Sequence, residues 1–179
     1  MQTYIALLRG INVGGSGKLP MADLRALLTD LGALDVQTYI QSGNAVFRHE
    51  ASARTLTPKI RKAIAAAHGF DPATLLITAE ELRSFADANP FPEAVAEPKT
   101  LHLFLLEKTP RSPDLERLVE FAAPDERFEL KDRAFYLHAP SGLGRSKLAA
   151  QAEKHLGTPT TARNWRTVEK LLEMGAPRS

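Results

Sequence analysis

The chain of 179 residues contains no cysteine. A disulfide framework, a thiolate metal site and a cysteine nucleophile are therefore excluded, and the composition suits a reducing compartment. Long apolar runs are lacking too. The opening "MQTYIALLRG" has no basic segment, and its apolar stretch of about five residues falls far short of a signal-peptide core or a spanning helix. A cytoplasmic location without a membrane partner is the expectation. Net charge of one sign is nearly absent: a formal +2 is too small to mark a nucleic-acid protein by itself. The five histidines show no H-x-H, H-E-x-x-H or other ligand spacing, so neither a metal nor a cofactor is expected.

What is present is strong patterning. Thr3–Leu8 reads as a buried strand. Pro20 stands where a first helical residue would, its missing N–H costing nothing there, and Leu24, Leu27, Leu28 and Leu31 follow at helical spacing until Gly32. "VQTYIQ" and "AVFRH" flank Ser42-Gly43-Asn44, the composition of a tight hairpin turn needing positive φ. A helix over about Ala53–His68 is closed by Gly69, and the strand "ATLLIT" leads into "AEELRSFADA", with Thr78 and Glu81 spaced as a capping box. Strand, helix, strand, strand, helix, strand is the ferredoxin-like unit.

Asn89–Thr100 has three prolines and no periodicity, and is expected to be a linker. The strand "LHLFLLEK" then restarts the order. A helix opened by Ser112 and Pro113 should turn Leu115, Leu118, Val119 and Ala122 inward, and "RFELKD" and "AFYLHA" should pair about Asp132-Arg133. A helix over Ser146–Leu156 follows. In place of a final strand, a helix from about Asn164 to Met174 is expected, its apolar stripe formed by Trp165, Val168, Leu171 and Leu172. The expected fold is α+β, with two ferredoxin-like subdomains over 1–88 and 101–179, the second ending in an extra C-terminal helix.

Charge and glycine concentrate at three places. "RGINVGGSGKLPM", Arg9 to Met21, runs from a strand through glycines into a helix, the arrangement by which orphan helix amides cradle phosphates. It is neither a Walker loop, since Asn12 and Leu19 stand at two fixed positions, nor a dinucleotide fingerprint, since Pro20 replaces the last glycine. Positive φ alone could equally account for the glycines. "PSGLGRSKL", Pro140 to Leu148, places Arg145 and Lys147 at a helix start, where cations are unfavourable unless an anion neutralises them. From Gly142 onward seven Lys or Arg face three Glu, a local +4 against −2 for the remainder. In "TARNWRT", Asn164 or Thr161 can cap the last helix, Trp165 reads as a core anchor, and Arg163 and Arg166 flank it.

The segments "LLRGINVGG…KLPM", "TYIQSGNAVF", "SKL…AEKHLG" and "TARNWRTVEKL", in that order, resemble the bacterial family known as domain of unknown function 1697. The resemblance implies an α+β protein with ferredoxin-like halves and carries no activity. It singles out Arg9, Gly10, Asn12, Gly14, Gly15 and Lys18, then Gln41, Ser42, Gly43 and Asn44, and finally Arg163, Asn164, Trp165 and Thr167.

The leading reading is a binding protein for nucleic acid or a phosphorylated ligand. Its candidate residues are Arg9, Gly10, Asn12, Gly14, Gly15, Lys18, Gln41, Ser42, Asn44, Arg145, Lys147, Arg163 and Asn164, lining one anion-accepting cleft between the halves. The alternatives are an enzyme acting on a phosphorylated or nucleotide-like small molecule, with Asn12, Gln41 and Asn44 orienting it, and a protein-interaction module using a sheet face. An RNA-recognition sheet is disfavoured, because "NAVFRH" supplies only Phe47 for stacking.

Overall fold

The computed structural model describes residues 1–177. They form two compact units, one made of residues 1–83 with 170–177 and the other of residues 84–169.

In the first unit, β1 (Gln2–Leu8), α1 (Met21–Asp30), β2 (Leu34–Tyr39), β3 (Asn44–His49), α2 (Ala53–His68) and β4 (Thr74–Thr78) follow in turn. The sheet order is β2-β3-β1-β4, antiparallel throughout. Alternation along the central strands sends Tyr4, Ala6, Leu8, Ala45 and Phe47 to one face, where they bury against Leu24 and Leu28 of α1 and Leu56, Ile60 and Ile64 of α2. Burial of side chains this large is the main stabilising term of the unit. Gly69 closes α2 at φ 75° as expected, and Ser52 adds an N-cap beyond those expected, its Oγ accepting from the Thr55 N–H. Pro20 is the residue before the first helical one rather than the first itself. Thr78 and Glu81 form the expected reciprocal box at the start of α3 (Ala79–Asp87): the Glu81 N–H donates to Thr78 Oγ1 at 3.0 Å and the Thr78 N–H to Glu81 Oε2 at 2.7 Å.

The second unit repeats the plan with β5 (Leu101–Leu106), α4 (Leu115–Phe121), β6 (Arg127–Lys131), β7 (Ala134–His138), α5 (Lys147–Leu156) and β8 (Thr160–Asn164), in sheet order β6-β7-β5-β8. Phe104, Leu106, Phe135 and Leu137 pack on Leu118, Leu148, Ala152 and Leu156. β8 corrects the expectation that a helix replaces the last strand. "TTARN" has no apolar run, yet it pairs with β5 from His102↔Asn164 to Leu106↔Thr160, and α6 (Trp165–Met174) begins directly after it.

Two further expectations change. Leu118 alone of α4 is fully buried, while Leu115 is 36% and Val119 62% exposed, because a helix of seven residues presents barely one stripe. Residues 89–100 are packed rather than free: Pro92–Ala96 form a 3-10 turn, Phe91 and Ala94 are buried, and Pro98 and Thr100 carbonyls accept from the Trp165 and Ala139 amides. The last carbonyls of α3 find side-chain donors, Tyr136 Oη to Phe85 O at 2.5 Å and Lys131 Nζ to Ala88 O at 2.9 Å. Burial, reinforced by the Glu129 charge, pushes the Tyr136 phenol up to about 12, which keeps it a donor.

Candidate functional site

The glycine-rich segment between β1 and α1 is a miniature hairpin. Asn12 N–H donates to Gly17 O and Ser16 N–H to Val13 O, and the tip residues Gly14 and Gly15 both have left-handed φ, as a two-residue turn of this kind demands. At its neck a Cβ on Gly17 would lie 2.8 Å from Gly10 O, so the two backbones touch and Arg9 and Lys18 leave from adjacent positions. Buried Ile11 and Leu19 anchor the neck in the core.

Asn12 locks this shape. Its Nδ2 donates to Leu19 O at 2.9 Å and to Gln41 O at 2.7 Å, and its Oδ1 accepts from the Leu19 N–H at 2.8 Å. One side chain thus ties both ends of the hairpin to the β2–β3 turn. Gly43 closes the same junction, since a Cβ there would fall 2.7 Å from Leu8 Cβ and 2.8 Å from Ile11 Cδ1. Asn44 is fully buried, with Nδ2 donating to Tyr39 O and Ser42 Oγ at 3.0 Å each. Asn12, Gly17, Gly43 and Asn44 are therefore framework.

The frame presents Arg9, Gly10, Gly14, Gly15, Lys18, Gln41 and Ser42 at the surface. The amides of Gly14, Gly15 and Lys18 meet no acceptor among the described residues, and Lys18 has no carboxylate partner there. Ile40, half exposed at φ 48°, is a β-branched residue in the left-handed region, so the turn beside the hairpin is held under backbone strain. Spacing in the sequence gave no sign of what lies beneath. Phe70 would lie 3.5 Å from a Gly17 Cβ, and His68 Nε2, beside Phe70, sits 3.6 Å from Asp23 Oδ2. That pair recurs in the second unit as His155 Nδ1 and Asp114 Oδ2, 3.9 Å apart. In both, a histidine near one helix C-terminus meets an aspartate near another helix N-terminus, and an acidic residue at that end suits the helix dipole.

In the second unit Arg145 ends a 3-10 turn over Leu143–Arg145, Ser146 Oγ caps α5 by accepting from the Ala149 N–H, and Lys147 is the first helical residue. Arg145 and Lys147 are exposed, with no carboxylate partner among the described residues. Arg163 pairs opposite Leu103, on the sheet face turned away from α4 and α5, and its Nη1 donates to Ala162 O at 2.8 Å. Burial lowers its guanidinium to about 10, still charged at neutral pH. Asn164 caps α6, its Oδ1 accepting from the Thr167 N–H at 3.0 Å, and Trp165 is 4% exposed, which leaves no ring face for a ligand to stack on.

Among the described residues no three His, Asp or Glu are placed to hold a metal ion, and no helix is long and apolar enough to cross a membrane.

No curated protein matches the chain. Among solved structures, the conserved bacterial protein SP0830 of Streptococcus pneumoniae is similar, with a TM-score of 0.67 and 26% identity over 98% of this chain and 99% of that one. The family model described as a protein of unknown function, DUF1697, matches residues 1–136, from the glycine hairpin and its Asn12 clamp into the second sheet, and the chain belongs to that family.

Proposed function

We propose that the protein binds a phosphate-bearing ligand at the Arg9–Lys18 hairpin and the Gln41-Ser42 turn of its first unit. The observation that supports this is an exposed loop whose neck is pinned by the Asn12 hydrogen bonds while the amides of Gly14, Gly15 and Lys18 meet no acceptor among the described residues. Five left-handed glycines (Gly10, Gly14, Gly15, Gly17 and Gly43), the left-handed Asn12 and the strained Ile40 stand at a junction fixed by three Asn12 hydrogen bonds. Rigid backbone presenting unsatisfied N–H groups beside cations is what oxyanion recognition needs, because donors that are already oriented lose little entropy on binding. Gly14, Gly15 and Lys18 amides would meet phosphate oxygens, with Lys18 as a point charge and the positive charge of Arg9 close by. In the second unit, Arg145 and Lys147 at the start of α5 are a further place where an anion would relieve unfavourable charge.

The joint variant Arg9→Ala/Lys18→Ala is expected to lose low-salt retention on heparin and on a polynucleotide column while remaining folded by circular dichroism. Thermal shift with nucleoside and sugar phosphates then identifies the source of the phosphate. Stabilisation by small phosphates without column retention means a metabolite, and retention without stabilisation means nucleic acid. Wild-type behaviour of the double variant in both assays would sink the reading.

A further inference from the structure

A second feature of the first unit lies on the other face of its sheet. Thr3, Gln37, Val46 and Arg48 line a hollow of about 670 Å³ on the face turned away from α1 and α2, walled by the start of α3 and by the end of α6 with the residues after it. That volume lies within the roughly 300–1,000 Å³ of small-ligand sites. Gly175 sets the wall: a Cβ there would stand 3.1 Å from Ala79 Cβ, so the chain after α6 rests directly on the start of α3. Leu172, Met174 and Pro177 supply apolar surface.

The polar mouth is built at some cost. The β2–β3 register shifts between Leu34 and Gln37, and Asp35 is left-handed at φ 53°. A bulge of this sort re-aims a side chain. Here the carboxylate reaches across to β3, where Asp35 Oδ2 accepts from Arg48 Nε at 2.6 Å. The guanidinium is thereby oriented with its two Nη groups unused, since they meet no acceptor among the described residues. Arg83 adds a second cation to the lining and Glu80 an acid. The mouth thus holds two guanidinium groups, Arg48 and Arg83, and two carboxylates, Asp35 and Glu80, so a ligand's carboxylate would be recognised by the oriented Nη donors of Arg48 and not by net charge.

We infer that this hollow is a binding site for a small amphipathic carboxylate, its apolar body against Leu172, Met174 and Pro177 and its carboxylate held by Arg48. The site is independent of the loop reading above. Arg48 is suited to the task because a planar fork fixed at Nε presents its remaining donors in the spacing of a carboxylate.

The test is a titration of the isotope-labelled full chain with sodium decanoate, read by amide chemical shifts. Saturable shifts are expected at Thr3, Gln37, Val46 and Leu172. Arg48→Met should weaken the dissociation constant roughly tenfold or more. Gln37→Trp, a substitution that strands tolerate, should fill the hollow and abolish the shifts. Arg9→Ala/Lys18→Ala should bind decanoate as the wild type does, so the two sites fail or stand separately. Equal binding of decan-1-ol or tighter binding of decylamine would overturn the inference, as would unchanged affinity in Arg48→Met, shifts confined to residues 9–18, or no saturation up to the solubility limit of decanoate.

Discussion

Among single residues, two carry consequences out of proportion to their size. Asn12 was singled out in the sequence as a ligand contact, but its amide is spent on Leu19 and Gln41, so its replacement should be felt as stability. Asn12→Ala is expected to cost about 1–2 kcal/mol in urea unfolding, since a hydrogen bond is worth about 0.5–1.5 kcal/mol and the two to Leu19 are part-buried while that to Gln41 is exposed. Asn12→Asp should be at least as damaging, because the carboxylate can accept from the Leu19 N–H but turns an oxygen on two carbonyl oxygens. An Asp variant as stable as wild type would mean that the clamp matters little. Gly43→Ala meets left-handed φ, worth about 1–2 kcal/mol, and the overlap with Leu8 and Ile11. His102 acts through pH. It is 6% exposed on β5, and its Nδ1 finds no partner among the described residues. Burial holds its pKa below the ordinary 6.5, opposed more weakly by a backbone hydrogen bond at Thr100. The unfolded chain therefore takes up this proton more readily than the folded one, so stability is fully present above about pH 6.5 and falls as pH drops from there towards the folded-state pKa. Unfolding free energies of wild type and His102→Leu should differ by a constant amount above neutrality, and the variant should gain on the wild type as pH falls below about 6.5; parallel curves throughout would refute it.

For whole elements, what could be read in advance depended on how much apolar surface each one buries. α2 was legible because Ile60, Ala63, Ile64 and Ala67 repeat at helical spacing up to Gly69, and β1 because Thr3–Leu8 is a short apolar run. β8 was not, since Thr160 and Thr161 bury as β-branched polar residues and the strand is held by β5 and by Glu153, whose Oε2 accepts from the Thr160 N–H at 2.9 Å. That support comes from across the fold, and no local pattern announces it. The candidate site divides the same way: its turn residues were visible as glycines and asparagines, whereas the Asn12 clamp and the Asp35 bulge exist only once β1, β2 and β3 are side by side. Asn164 makes the distinction testable at the end of β8. As a cap of α6, Asn164→Ala should lower stability by about 1 kcal/mol and Asn164→Asp should keep or raise it, an acceptor at a helix N-terminus being all that is required. Thermal unfolding of both variants decides it. Equal loss in the two would show that the Asn164 NH₂ is needed, which returns the residue to a recognition role.

Over the whole molecule, one supersecondary plan is used twice, down to the histidine–aspartate tie between helix ends, His68 with Asp23 and His155 with Asp114. The first unit is not continuous in sequence, however, because residues 170–177 belong with residues 1–83. Leu171 is 1% exposed, and Gly175 stands against Ala79 Cβ and Ile5 Cδ1. Ile5 lies in β1, the central strand flanked by β3 and β4, on the face opposite the α1–α2 core. Removing the chain after Glu169 would uncover that face of β1 while leaving Trp165 and Val168 in place. Amide hydrogen exchange of such a truncated chain should show protection lost first in β1 and β4 and retained in β5 and β7, since local opening follows the apolar contacts that each segment keeps. Loss of protection spread evenly over both sheets would mean that the two units open as one, and that the tail stabilises the entire chain instead of completing the first unit.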